Sequence, residues 1–256
     1  MAKASMTARG VATVRRRVDR VPFTGGDPRV DDRLGQALGL SIPLPLIGTS
    51  GAYFRERTRF FDQAVVDAIR AGIDQLVLIG AGYDGRAFRY RTPATRWFEV
   101  DHPATQADKR ARLAAIGVDC SHVAFVPCDL AADDVGPALA AAGHDPSRST
   151  LFLAEAVFPY LPVAAIERVL RATSERRGPS GRLAVELGLV PHDLRSRLNV
   201  GALRTMTSLL GERILTMQEP EVALDMLRRC GWAPRPPDPS FDRRAQGTLV
   251  LWLHAD

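Results

Sequence analysis

The sequence predicts an α/β fold with a doubly wound, mostly parallel sheet, and three observations predict it. Short, mostly apolar runs recur at residues 75–79, 97–101, 123–126, 151–154 and 182–186, and the first, without polar alternation, is as expected of a parallel strand buried on both faces. Segments of helical periodicity separate them, and strand alternating with helix defines this class. The first run also stops at Gly80, and Gly80 and Gly82 open a turn at a strand's carboxyl end, where open α/β sheets bind ligands.

In chain order, residues 5–20 have helical character without clear caps. Residues 21–50 are broken by Pro22, Gly25, Gly26, Pro28, Gly35, Gly39, Pro43, Pro45 and Gly48. An irregular stretch of that length, with the apolar run 38–47 inside it, reads as a cap over a site. Residues 55–71 form a helix with Phe60, Phe61, Ala64, Val65, Ala68 and Ile69 at core spacing, stopped by Gly72. Pro103 starts a helix to about residue 116 at a position that tolerates proline. A weaker helix at 135–142, a helix at 162–174, a mostly helical stretch at 191–217, a helix at 221–230 and a last strand at 247–254 complete the alternation. The expected organisation is an N-terminal helix and cap segment, 1–54, followed by a binding domain, 55–256, with a substrate-covering insertion at about 191–217.

Composition bounds the function. With 256 residues, 46% hydrophobic and 25% charged, the chain reads as one soluble domain. It shows no apolar run of membrane-spanning length and no secretory signal. Cys120, Cys128 and Cys230 lack metal-ligand spacing, so ordinary thiols in the cytoplasm, and no metal, are expected. The charge of +5 raises nucleic acid as a partner. However, only Lys3 and Lys109 among the 34 basic residues are lysines; such a skew looks like a coding bias rather than a basic surface. The cluster Arg15, Arg16, Arg17 and Arg20 reads as a solvated helix face.

Carboxylates recur past successive strand ends: Asp84, Asp101, Asp129 and Glu155. Any one could merely cap a helix. Together they call for a partner that is positive or donates hydrogen bonds. Asp101, about twenty residues beyond the turn, suits ribose hydroxyls. Gly80, Gly82 and Gly85 formally meet the dinucleotide spacing, so NAD stays open, although Asp84 would set a negative charge where a pyrophosphate must lie. A ribose-bearing cofactor without a phosphate fits better, and S-adenosylmethionine is the common one.

Residues 57–62 (Arg-Thr-Arg-Phe-Phe-Asp), 78–86 (Leu-Ile-Gly-Ala-Gly-Tyr-Asp-Gly-Arg), 98–103 (Phe-Glu-Val-Asp-His-Pro) with Lys109, Asp129-Leu130, and 153–161 (Leu-Ala-Glu-Ala-Val-Phe-Pro-Tyr-Leu) resemble, in this order, the leucine carboxyl methyltransferase family. That family comprises S-adenosylmethionine-dependent O-methyltransferases and includes polyketide carboxyl methyltransferases of the tetracenomycin type. The resemblance covers residues 55–190. It implies a class I methyltransferase, Rossmann-like fold with a seven-stranded sheet and a helical or irregular cap. It also implies that Arg59 pairs with the cofactor's methionine carboxylate, that Gly80, Ala81 and Gly82 pass under the cofactor, and that Asp101 holds the ribose. Asp129 and the Leu130 amide would meet the adenine, and Glu155 the methionine amine. The family's usual Thr is replaced here by Gly85.

Methyl transfer from a sulfonium needs alignment and exclusion of water. A carboxylate acceptor is already ionised at neutral pH and needs no base, in keeping with the lack of a Ser-His-Asp or metal constellation. The expected reaction is methyl ester formation on a small-molecule acid or polyketide-like metabolite of secondary metabolism, with a phenol or alcohol hydroxyl as the alternative acceptor. Tyr160 and His192 are the candidate catalytic groups, with His102 and His144 as further possible bases. From other classes, an NAD-linked oxidoreductase lacks a Tyr-x-x-x-Lys pair, and an RNA-binding or RNA-modifying protein lacks a dense basic and aromatic surface. Leu38, Leu40, Ile42, Leu44, Leu46, Leu203, Met206, Leu209 and Leu210, with Arg195, Arg197 and Arg204, are expected to line the acceptor pocket. Oligomeric state is not legible.

Overall fold

A computed structural model describes residues 4–16, 18–39, 51–192, 194–209, 211–235 and 250–256. Its strands are β1 Gln75–Ile79, β2 Arg96–Asp101, β3 Val123–Pro127, β4 Thr150–Ala154, β5 Arg182–Gly188 and β6 Val250–Ala255. They form one sheet in the order β3-β2-β1-β4-β5-β6, with β6 alone antiparallel. Gln75 pairs with Arg96 on one side and Thr150 on the other. The chain therefore runs outward from β1 in both directions, and the strand order reverses between β1 and β4. Their carboxyl ends, at Gly80 and Glu155, flank the crevice that such a reversal creates.

Period-two alternation divides β1 between two cores. Leu76 and Leu78 face a cluster with Phe60, Phe61 and Val65 of α3 (Gly51–Arg70), while Val77 and Ile79 face one with Ile166, Val169 and Leu170 of α7 (Val163–Ser174). All five β1 residues are buried, and burying each of the four aliphatic ones, Leu76, Val77, Leu78 and Ile79, stabilises by about 1.5 to 3 kcal/mol. This fixes the height at which the glycine turn leaves the sheet.

The remaining helices are α1 Met6–Arg15, α2 Val30–Ala37, α4 Arg86–Arg89, α5 Pro103–Ala115, α6 Val135–Ala141, α8 Leu194–Leu209 and α9 Pro220–Arg229. Two of these correct the sequence reading. Helix α2 forms within the stretch expected to be irregular, because Val30, Leu34 and Leu38 lie on one face and bury against the α3 cluster. Helix α4 is a single turn following Gly85, too short for periodicity to reveal. Six strands stand where seven were expected, among the described residues, and residues 236–249, including the expected start of the last strand at 247, lie outside them. Among the described residues no helix is long and apolar enough to cross a membrane.

Candidate active site

The turn after β1 is pinned through its own amides. The Gly80 and Ala81 N–H groups both donate to the Val100 carbonyl, at 2.9 and 3.0 Å, and the Gly82 N–H donates to the Asp101 carboxylate. Both glycines are left-handed, with φ of 67° at Gly80 and 51° at Gly82. A Cβ on Gly80 would lie 2.6 Å from Val157 Cγ2, so backbone angle and space both require glycine there.

Asp101 also accepts the His102 N–H, at 2.6 Å. Burial pushes its carboxyl up against the opposing effect of these two amides. Each oxygen accepts one bond from the protein and keeps a lone pair free, as a hydroxyl pair would need. His102 caps α5, its Nδ1 accepting the Ala104 N–H at 3.2 Å, so this imidazole shapes the loop. Beneath the turn, Lys109 donates to the Asp84 carbonyl at 2.7 Å and pairs with Glu99 at 2.6 Å, while burial pushes the Glu99 carboxyl up to about 7.

The Asp84 side chain faces arginines. It lies 2.5 Å from Arg86 and 3.5 Å from Arg15, and although burial opposes it, these guanidiniums hold its carboxyl below the usual range. Its charge is thus compensated, which removes the charge objection to a pyrophosphate. A different one replaces it: the three amides at Gly80, Ala81 and Gly82 are already committed within the protein.

Asp84 belongs to a larger ion network. Arg86 reaches Asp62 at 2.7 Å and Glu155 at the end of β4. Arg20 bridges Asp62, at 2.7 Å, and Asp31, at 2.5 Å. Arg15 and Arg57 approach Glu155 at 3.0 and 2.9 Å, and Arg57 also lies 3.7 Å from Glu186. Tyr53 donates from its hydroxyl to Glu186 at 2.5 Å. Burial would raise Glu155, but Arg15, Arg86 and Arg57 together hold it well below the usual range.

Two expectations change here. Arg15 and Arg20 are not on a solvated face; their side chains are 7% and 6% exposed and ion-paired. Arg59, expected at the cofactor carboxylate, is exposed on α3, whereas Arg57, two residues earlier, is buried beside Glu155. Half a helical turn separates the two positions, so they face different surroundings.

Past β3, Asp129 is half-buried and Leu130 buried. Asp129 Oδ1 accepts the Ala131 N–H at 3.0 Å. Tyr160 lies on a 3-10 turn, Phe158–Tyr160, after β4, where it is half-buried and burial raises its phenol above the ordinary value. The structure does not bring His192 to the cluster as a buried group: it is 70% exposed and lies 3.1 Å from Glu219. His144 contacts Thr150 at 3.0 Å, at the opposite end of β4 from Glu155, and burial lowers its imidazole to about 4. Leu209, Arg197 and Arg204 of the expected pocket lining are exposed on α8, and Leu38 is buried in the α3 core. Leu40, Ile42, Leu44, Leu46 and Leu210, and the side chains of Arg195, Leu203 and Met206, lie outside the described residues.

The sequence reading missed that α1 covers the turn. Ala8 Cβ would lie 3.1 Å from a Cβ on Gly82, Arg9 reaches Asp108 at 3.1 Å, and the Thr7 N–H donates to Glu212 at 3.3 Å. Recurrent arginine spaced across Arg15, Arg57 and Arg86 against the strand-end carboxylates was the only available signal. Among the described residues no cluster of His, Cys, Asp and Glu could hold a metal ion.

A glycine turn at the switch point, with carboxylates past the next two strands, on this sheet, defines a Rossmann-like protein of the class I methyltransferase fold. Residues 48–174 match the leucine carboxyl methyltransferase family. A protein of Mycolicibacterium smegmatis named "Putative S-adenosyl-L-methionine-dependent methyltransferase" is 43% identical over 136 residues, 52% of this chain and 43% of its own length. One from Parafrankia sp. with the same description is 43% identical over 138 residues, covering 53% and 44%. The chain thus spans less than half the length of these curated relatives. In structure, it is similar to a protein from Thermobifida fusca YX described as a methyltransferase, with a TM-score of 0.61 at 18% identity over 98% of this chain and 94% of the other. That likeness concerns the fold.

Proposed function

We propose that this chain is an S-adenosylmethionine-dependent O-methyltransferase that forms a methyl ester on the carboxylate of a small-molecule acid. The observation that carries the cofactor reading is the Asp101 carboxylate, held against the Gly82 amide with lone pairs to spare, one strand from Asp129. The residues fit such a group: Asp101 for ribose hydroxyls, Asp129 and the Leu130 amide for an adenine edge, Arg57 for an α-carboxylate and Glu155 for an ammonium. Arg57 takes the role expected of Arg59. Glu155 has three guanidinium partners, two on Oε1 and Arg86 on Oε2, which leaves one acceptor position on Oε2 for an ammonium.

Bound S-adenosylmethionine would supply an electrophilic methyl carbon. The chain's own residues orient the acceptor and exclude water, for which α1 over the turn and the 211–216 segment on the Tyr160 turn are placed; Leu215 donates its N–H to the Pro159 carbonyl at 2.8 Å. Tyr160, protonated at neutral pH, is suited to donate a hydrogen bond to an acceptor carboxylate. His192 is exposed, His102 caps a helix and His144 lies at the opposite end of β4 from Glu155, which supports an acceptor that needs no base. O-methylation of a hydroxyl is the alternative.

Small carboxylic acids and phenols incubated with methyl-labelled cofactor test this. The ester reading expects a labelled product that mild base cleaves to methanol; a base-stable product overturns it.

A further inference from the structure

We propose that Arg168 on α7 is the positioning residue for base recognition, acting through the loop that carries Asp129. This rests on the reading that Asp129 and Leu130 meet an adenine. One guanidinium gathers three carbonyls of that loop: its Nη2 donates to Leu130 at 3.3 Å and Ala131 at 3.0 Å, and its Nε to Asp133 at 3.2 Å. The planar fork of arginine suits such a convergence.

Four of the loop's amides, those of Asp129, Ala131, Ala132 and Asp133, are satisfied internally. Ala131 N–H donates to Asp129 Oδ1, Ala132 and Asp133 N–H to the Asp129 carbonyl at 2.9 and 2.7 Å, and Asp129 N–H to Asp133 Oδ2 at 2.8 Å. These bonds close the loop on itself but do not fix it relative to the sheet. Cys128 and Val135 at the loop's two ends and Leu130 within it are buried in the core cluster. Arg168 adds the polar anchor on the backbone between those ends, and α7 is immobilised by Ile166, Val169 and Leu170 in the same cluster. With both in place the Asp129 carboxylate, whose Oδ1 is used within the loop, is held in one orientation with Oδ2 left for a ligand. The guanidinium also offsets the charges of Asp129, Asp133 and Asp134, which crowd within six residues.

A positioning role predicts loss of discrimination at the base rather than uniform weakening. Asp129 accepts from an exocyclic amine, which adenine has and hypoxanthine lacks, so the wild-type chain should bind S-adenosylhomocysteine better than S-inosylhomocysteine. Calorimetry with both ligands on wild type, Arg168→Ala and Arg168→Lys tests this, with Arg171→Ala, a surface arginine of the same helix, as the control. Arg168→Ala should weaken S-adenosylhomocysteine about tenfold and leave S-inosylhomocysteine within about twofold. Arg168→Lys, which keeps the charge without the fork, should fall between, and it keeps the test valid if the alanine variant unfolds. Equal weakening of both ligands, or none, overturns the inference. Wild-type chain that binds neither ligand overturns the cofactor reading and this inference with it.

Discussion

The Arg15 guanidinium lies 3.0 Å from the Glu155 carboxylate, with both side chains 7% exposed. The contact joins α1 to the end of β4 and closes the helix over the glycine turn. Such a buried pair is strong only while both partners stay in place.

Replacing Arg15 by Met should therefore loosen α1. Glu155 keeps Arg57 and Arg86, and Asp84 keeps Arg86, so the cost should be about 1 to 3 kcal/mol rather than the full penalty of a stranded charge. Amide exchange in residues 6–15 should accelerate while β1 stays protected. Unchanged exchange in α1 would show that its packing on the turn, not Arg15, holds it.

Arg86→Met should be far more damaging. It takes one partner from Asp62, Asp84 and Glu155 at once, leaving Asp62 to Arg20 and Asp84 to Arg15 at 3.5 Å, and breaking a buried pair from one side costs about 3 to 5 kcal/mol. Arg59→Met, on the exposed face of α3, should stay within about 0.5 kcal/mol and leave ligand affinity unchanged. Urea unfolding and calorimetry read both, and a large effect at Arg59 would return it to the site.

Acid should unfold the protein through this network. Burial opposes the ionised form of Asp62, but Arg20 and Arg86 hold its carboxyl down at about 2 against an ordinary 3.8. A carboxyl depressed in the folded state contributes stability that is complete above its unfolded value and is lost as pH falls through the folded one. Stability should thus decline by about 2 kcal/mol from Asp62 alone between about pH 4 and pH 2, with Glu155 and Asp84 shifted in the same direction adding to it. In Asp62→Asn the slope should shrink. An unchanged slope would remove Asp62 from this account.

Gly80→Ala meets two obstacles, a φ of 67° and Val157 Cγ2 at 2.6 Å. The backbone part should cost about 1 to 2 kcal/mol, and the contact adds to it. Val157→Ala should restore the contact part without the backbone part. Full rescue by Val157→Ala would mean that the angle at Gly80 carries no strain.

Most of the sheet was legible from the short apolar runs taken with the helical segments between them, since the length of each run and its flanking turn residues, rather than its pattern, mark a buried strand. The glycine turn and Asp101 were legible for the same reason: chemistry at strand ends is set by position along the chain. The ion network was not. Arg15 sits in a run of arginines that reads as solvated, and only the distant carboxylates Asp84 and Glu155 make its burial tolerable. Arg57 stands three and four residues before Phe60 and Phe61, on the buried stripe of its helix, and Arg59 does not; the family resemblance, not the periodicity, points to Arg59. His192, at the start of the segment before α8, is exposed, as its position ahead of a helix already suggested. The acceptor pocket was read from apolar composition, yet Leu209 is exposed, because composition does not specify which way a helix is turned.

Binding of S-adenosylhomocysteine to the purified chain tests the central claim most directly. A ligand specific to the native state stabilises it by about 2.7 kcal/mol at one hundred times its dissociation constant. The account predicts a raised melting temperature and one-to-one binding with S-adenosylhomocysteine and none with NAD, and Asp129→Ala weakening the former by about 1 to 3 kcal/mol. No shift with S-adenosylhomocysteine at millimolar concentration, or a shift with NAD in its place, would contradict it.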